Sequence, residues 1–360
     1  IACSRMVRNF PILLGIFVVM ALSNAVVPVL PDFAEGTAMQ GTVYAAYFLG
    51  AFVAVLPAGM ASDRIGSVPL IRAGLLLTLA SGVLILLFPS GLPLLVFRVA
   101  EGLGAGLFLS AALAWANSQP SAGQLSGYVM ASLNLGLVVG LLATGWLDAA
   151  LDSHLAGIAL FTVLAVPVVG MGFTVRESER VGFARANLPG IVRNYFWLFV
   201  AAVVLVGMTG AVAAVYPEYT GNDPSVLALQ LATINIASVV AVLVAPRINF
   251  RPVPTIRVSS ILMAGAVVAG YFTPYAFPAI GALSGVIIVA ILAFLAETRV
   301  QQGVMTGLFN TASYAGFTFL SALAGFAAGM FGFLAAFLLL AGMAAAVAIP
   351  IGRCRCEHTG

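Results

Sequence analysis

The chain has 360 residues, 62% of them hydrophobic and 8% charged, with a mean hydropathy of +1.12 and a formal net charge of +3. Soluble domains run near half apolar and a quarter charged, so two water-soluble cores are excluded and the solvent of most of this chain is lipid. The positive balance comes entirely from Arg, with no Lys, and it follows the topology described below rather than the clustered patch of a nucleic-acid binder.

A spanning helix needs about 20 predominantly apolar residues. In chain order, this rule predicts spans at roughly 10–31, 39–60, 69–89, 91–114, 126–147 and 155–174, then a polar stretch at 175–193. Six more follow at roughly 194–216, 225–246, 255–273, 277–296, 303–328 and 331–351. Two separators, Pro89-Ser90-Gly91 and Gly329-Met330-Phe331, carry no charge and rest on turn residues alone, which leaves ten or eleven spans open. The chain begins at Ile1, so residues upstream are expected, and the first span is too long for a cleavable signal.

Four features stand out along the chain. The first span ends Asn24-Ala25-Val26-Val27-Pro28-Val29-Leu30-Pro31. Between spans 2 and 3 lies the charged hairpin Gly59-Met60-Ala61-Ser62-Asp63-Arg64-Ile65-Gly66, whose two glycines permit tight turns. Span 4 contains Arg98-Val99-Ala100-Glu101-Gly102-Leu103-Gly104-Ala105-Gly106, with Arg98 and Glu101 placed i, i+3 on one helical face. Span 5 reads Asn134-Leu135-Gly136-Leu137-Val138-Val139-Gly140-Leu141-Leu142-Ala143-Thr144-Gly145.

The halves on either side of 175–193 echo each other. Val68-Pro69-Leu70-Ile71-Arg72 enters span 3, and Val253-Pro254-Thr255-Ile256-Arg257 enters span 9. Gly127, Gly136 and Gly145 of span 5 recur with identical spacing as Gly307, Gly316 and Gly325 of span 11. Numbering the spans from a cytoplasmic N-terminus puts every Arg except Arg98 on the face that holds both termini. The opposite face carries Asp32, Glu35, Asp148, Asp152, Glu218 and Asp223. Both termini are therefore expected in the cytoplasm, in a multi-pass protein of the cell membrane. Cys3, Cys354 and Cys356 fall in the cytoplasmic tails, where disulfides are rare. Cys354, Cys356 and His358 offer soft-metal ligands, but two thiols and one His on a chain end fit a disordered basic tail better, and neither metal nor cofactor is expected.

The spelling Gly-x-x-x-Asp-Arg-x-Gly at 59–66 resembles the loop joining spans 2 and 3 of the major facilitator superfamily. The span 4 pattern of Arg followed by a polar residue and small residues is similar to that family's fourth helix, and the end of span 1 resembles its drug-efflux-like members. The resemblance implies an all-α membrane protein with twelve transmembrane helices in two pseudo-symmetric six-helix bundles. Domains follow at 1–175 and 194–352, with a cytoplasmic linker at 176–193 and a tail at 353–360. It implies a cytoplasmic gate built from Gly59, Asp63, Arg64, Gly66 and Arg72, in which Asp63 faces the start of span 11 near Gln302-Gly303. Two departures matter. Ser67 and Val68 stand where the family usually has bases, and Leu141 stands where family antiporters often have Pro. The second-half counterpart of the hairpin, Asn249-Phe250-Arg251-Pro252, has no matching Asp, so the latch is one-sided.

In the family, spans 1, 4, 7 and 10 are innermost, flanked by 2, 5, 8 and 11. The cavity residues this implies are Asn24, Tyr44, Tyr47, Arg98, Glu101, Asn134, Gln230, Asn235, Asn310 and Tyr314. Taken alone, each fits an interhelical hydrogen-bonding role better than a ligand contact; together they describe a cavity with aromatics, amides and one charge pair. Ionisable side chains inside a membrane are costly and mark function. Glu101 is the expected proton carrier, with Arg98 either opposing the effect of burial on its proton affinity or meeting an anionic group of the substrate. The alternative is that Arg98 snorkels to the outer headgroups with Glu101 as its neutralising partner. So few fixed charges argue against a sugar phosphate or dicarboxylate and favour amphiphilic, moderately polar or cationic solutes.

The expected function is proton-coupled efflux of such a small molecule by a monomeric secondary transporter, with a proton-coupled importer of a small neutral metabolite as the alternative. A membrane-embedded enzyme is disfavoured: His154 and His358 are the only histidines and lie outside the spans, and no nucleophile–base group or phosphate-binding loop is visible. Nor is there the filter loop of a channel or the Walker loop of a pump.

Overall fold

The computed structural model describes residues 2–119, 122–177, 188–248, 251–296, 298 and 302–351, with the side chains of 2–8, 63, 122–124, 126, 302 and 303 outside the description. The first half comprises α1 (Ala2–Ala25), the short α2 (Leu30–Phe33), α3 (Thr37–Ile65), α4 (Ser67–Leu87), α5 (Gly91–Asn117), α6 (Ala122–Leu151) and α7 (Ala156–Gly172). The second half comprises α8 (Leu188–Asn194), α9 (Phe196–Ala201), α10 (Gly207–Thr220), α11 (Pro224–Val244), α12 (Pro252–Phe272), α13 (Phe277–Ala296), α14 (Gln302–Phe331) and α15 (Phe333–Ile351). No strand occurs among the described residues, as a bilayer demands of a helical protein whose backbone must satisfy itself. Among the described residues, ten stretches are long and apolar enough to cross, and Asn9–Ala25 and Ala156–Gly172 supply two shorter apolar helices.

Two elements depart from the expected spans. The hydropathy pattern extends the first span over 10–31, yet α1 stops at Ala25 and the chain turns, with Val27 N–H donating to Asn24 O at 3.1 Å. Pro28 has no N–H and disfavours helix at the residue before it, so the backbone breaks there and restarts as α2 with Pro31 in its first turn. The seventh span is continuous from Phe196 to Thr220, but its middle, Ala202–Val206, is a π-helical turn. This wider turn lies against α14, where Gly316 removes the side chain that would strike Val203 O.

The two halves pack alike. In the first, α1 lies on α6, α3 and α4 lie on α5, and α4 lies on α7. In the second, α10 lies on α14, α11 and α12 lie on α13, and α12 lies on α15. Each contact of one half has its equivalent in the other when spans are counted six apart. Two long contacts join the halves, α3 with α14 and α6 with α11, and these too are symmetry-equivalent.

The repeated glycines show what maintains this symmetry. Gly136 meets the α1 backbone at Phe17 O, and its counterpart Gly316 meets the equivalent span at Val203 O. Gly145 meets Pro224 O across the halves at 2.7 Å from an added Cβ, and Gly325 meets Thr37 O across the halves at 2.6 Å. Gly127 and Gly307 both face open space. Close backbone approach is the chief source of helix association where lipid is as apolar as the side chains.

Within the first half, α3 and α5 cross backbone on backbone at Gly50 and Gly102: a Cβ on Gly102 would collide with Tyr47 O. Gly102→Val is expected to cost about 3 kcal/mol or more, because rigid backbone rather than a flexible side chain must yield. Gly59→Ala, in open space inside α3, is expected to be neutral or to gain up to about 1 kcal/mol of helix propensity. Thermal unfolding of the purified variants in detergent separates the two.

Candidate functional site

Arg98 and Glu101 lie one turn apart on α5, roughly 10 and 15 Å along the helix from its start at Gly91. Arg98 Nη1 donates to Glu101 Oε2 at 2.6 Å, and both side chains are only 1% exposed. Arg98 therefore does not snorkel to the headgroups. Its Nη2 donates to Ser23 O of α1 at 3.4 Å, and its guanidinium sits 4.9 Å from the centre of the Tyr47 ring on α3. The pair thus ties α5 to α1 and α3. It is incompletely satisfied: Glu101 Oε1 and Arg98 Nε are buried without hydrogen-bond partners. Leaving polar atoms so costs free energy that a purely structural pair would avoid.

An aromatic layer covers the pair toward the second half. Tyr47 meets Phe48 edge-on at 5.0 Å, and Tyr44 lies 5.0 Å from Phe48. Phe48 crosses the seam to α14, reaching Phe317 at 4.8 Å and Tyr314 at 6.2 Å. Five predicted residues, Tyr44, Tyr47, Arg98, Glu101 and Tyr314, therefore gather at one place where the halves meet. Sequence reasoning missed Phe48, although Tyr44, Phe48 and Phe52 recur every four residues on one face of α3.

The other predicted cavity residues do not join them. Asn24 donates to Leu137 O at 3.0 Å and fastens α1 to α6. Asn134 bonds Met130 O of its own helix at 2.8 Å. Gln230, Asn235 and Asn310 are half-buried, and among the described residues no hydrogen bond links them to the cluster. Gln230 Oε1 is buried without a partner.

At the Arg-rich ends, the hairpin is built differently from its sequence reading. Gly59 makes no turn, because α3 continues through Ile65; the whole reversal falls on Gly66, at φ 96°, a conformation that glycine adopts without strain. The N-terminus of α4 then receives a carboxylate from the end of the half: Ser67 and Val68 N–H donate to Glu177 Oε1 and Oε2 at 2.9 and 3.0 Å. An anion is favoured there by the orphan N–H groups and the helix dipole. Arg72 donates to Phe173 O and stacks on the Phe173 ring at 5.2 Å, while Trp115 Nε1–H donates to Arg176 O at 3.0 Å. These contacts pin the segment after α7 beneath the first half. The Asp63 side chain and those of Gln302 and Gly303 lie outside the described residues, as do Glu179, Arg180 and Arg185 of the linker and Cys354, Cys356 and His358 of the tail.

At the acidic ends the halves are sealed. Gln40 Nε2 of α3 donates to Glu218 Oε2 of α10 at 2.5 Å and to Ala34 O at 3.1 Å, with Gln40 fully buried. Nearby, His154 Nδ1 lies 2.7 Å from Asp148 and 3.4 Å from Asp32. Partial burial lifts the Asp32 carboxyl above its ordinary range, His154 draws it down, and Asp148 pushes it up. At the Arg-rich ends lies an open cavity of about 790 Å³. Leu56 of α3 and Leu308 of α14 form two walls, and Val192, Arg193, Phe196 and Trp197 of α8 and α9 close the third.

Breaking the pair should be harsher than removing it. Arg98→Met, which strands a buried carboxylate, is expected to lose about 3–5 kcal/mol, and Arg98→Met with Glu101→Leu to recover most of it. Thermal unfolding of the two variants side by side measures the difference.

The model of the major facilitator superfamily matches residues 12–298. Among solved structures, a bacterial homolog of the human lysosomal transporter Spinster, in an inward-facing and occupied conformation, superposes with a TM-score of 0.75 at 13% identity, covering 97% of each chain. A nucleoside transporter gives 0.75 at 10% identity over 96% of this chain and 99% of its own, and a D-xylose–proton symporter 0.68 at 15% over 95% and 96%. No curated protein matches the sequence significantly. The matched family model, the paired six-helix halves and the transporter neighbours agree: the chain belongs to the major facilitator superfamily.

Proposed function

We propose that the chain is a secondary active transporter that moves a small amphiphilic or moderately polar solute across the cytoplasmic membrane by alternating access, as a proton-coupled exporter. The observation that carries this reading is the buried Arg98–Glu101 pair beneath Tyr47. Ionised, Glu101 holds Arg98. Protonated, it loses the charge that fixes the guanidinium, and Arg98 keeps only Ser23 O and the Tyr47 face, with Nη1 free to meet a substrate. Tyr47 belongs to α3, which forms half of the seam with α14, so a proton at Glu101 acts on the contact between the halves. Sealing at the acidic ends and a cavity at the Arg-rich ends fit one end state of a rocking cycle about a midplane site.

The Arg distribution supports a cytoplasmic placement of the Arg-rich ends, and with it of both termini. Under this reading, residues 1–175 and 194–352 are the moving bundles, 176–193 is their cytoplasmic linker and 353–360 the tail, in a monomer. Gly59, Asp63, Arg64, Gly66 and Arg72 belong to the cytoplasmic gate, with Glu177 capping α4 beside it.

Inside-out vesicles with an acid interior should accumulate substrate. Glu101→Gln should abolish the pH dependence of transport while leaving binding measurable; unchanged proton-driven transport in that variant sinks Glu101 as the coupling residue. Asp63→Asn should shift the population toward the state open at the Arg-rich ends. Faster labelling of a cysteine placed at Leu56 reads that shift, and an unaltered rate would reduce the hairpin to a turn.

A further inference from the structure

The cavity at the Arg-rich ends differs in chemistry from the buried pair. Its walls are apolar or aromatic apart from one cation, Arg193. Leu56 sits about 13 Å along α3 from its Arg-rich end at Ile65, and Leu308 about 9 Å along α14 from Gln302, so the apolar walls reach well inside the membrane. Arg193 is at the opposite, exposed edge, and among the described residues no carboxylate lies within ion-pairing distance of it. Phe196 and Trp197 offer two adjoining aromatic faces to this cavity. The cavity volume falls within the range of about 300–1,000 Å³ that holds drug-sized ligands.

We infer that this cavity binds a single-chain amphiphile with one anionic head: the apolar chain lies between Leu56, Leu308 and the two aromatics, and the head meets the Arg193 guanidinium. A charge-assisted bond to Arg supplies the selectivity, and a cation of the same shape is repelled. The assignment rests on the transporter reading, since it makes this cavity the place where such a solute is taken up from the Arg-rich side. It narrows the solute class by choosing anionic over cationic amphiphiles. The buried pair is too deep to make that choice while the seam is closed.

The test uses the full chain in nanodiscs of zwitterionic phosphatidylcholine. The probes are a bromine-terminated medium-chain carboxylate, the alcohol of the same chain, and its trimethylammonium analogue. Quenching that is present in the wild type and lost in Trp197→Phe isolates the signal of this cavity from Trp115 and Trp146. The carboxylate should bind about tenfold more tightly than the alcohol, equivalent to about 1.4 kcal/mol. Arg193→Gln should erase that preference while the alcohol still binds, and Leu56→Tyr, which narrows the cavity without adding a tryptophan, should weaken both. Equal binding of carboxylate and alcohol, or a preference that survives Arg193→Gln, overturns the assignment. So does Arg193-dependent quenching by brominated phosphatidylglycerol placed in the nanodisc when the free carboxylate gives none, because the occupant is then a bilayer lipid. Failure here with Glu101-dependent transport intact leaves the transporter reading standing; loss of both removes it as well.

Discussion

Close backbone approach between helices is the constraint on which the rest of this molecule depends. In a bilayer, apolar side chains gain little by leaving lipid for one another, so helices associate where they can come nearest. Here the closest approaches fall where side chains are absent, at Gly50 with Gly102 inside the first half and at Gly41 with Gly325 between the halves. Contacts of the second kind lie at the acidic ends, at Gly145 against α11 and Gly325 against α3. They are symmetry-related and flank the mid-membrane cluster. These contacts fix where the halves touch at the acidic ends.

The buried Arg98–Glu101 pair sets a second, opposing demand. Bringing two charges out of water costs several kcal/mol per ion, and only good geometry with further hydrogen bonds repays it. At 2.6 Å the geometry is good, yet one oxygen and one nitrogen have no partner. A pair kept for stability alone would be better replaced by apolar side chains. Its position under Tyr47, one residue from the aromatic bridge through Phe48 to α14, gives it mechanical access to the seam. The glycines bring the halves together at one end, and the pair with its aromatic cover lies where they meet at the middle.

The Arg-rich ends are organised by capping rather than by packing. Glu177 occupies the N-terminus of α4, Arg72 grips the carbonyls after α7, and Trp115 holds Arg176 O. The bases expected after Gly66 are missing from the sequence; in their place, the N–H groups of Ser67 and Val68 bind a carboxylate donated from the end of the same half. The chain leaving the first half is thus anchored to the hairpin at which that half turns.

The sequence alone determined the lipid solvent, the twelve apolar segments, the six-plus-six repeat and the family, because each is a one-dimensional property: hydropathy over about 20 residues, charge alternation, glycine spacing and a loop spelling. The i, i+3 placement of Arg98 and Glu101 was legible for the same reason, since helical period converts spacing into a shared face. What the sequence could not decide was pairing at a distance. Which polar residues converge depends on helix rotation and crossing, so Tyr44, Tyr47 and Tyr314 gathered round the pair while Asn24 and Asn134 turned to backbone carbonyls. Glu177 lies in the polar stretch 175–193, and Gln40 near the start of the second apolar span. Only the tertiary structure made the first a cap and the second a bond between halves, because each partner lies more than a hundred residues away.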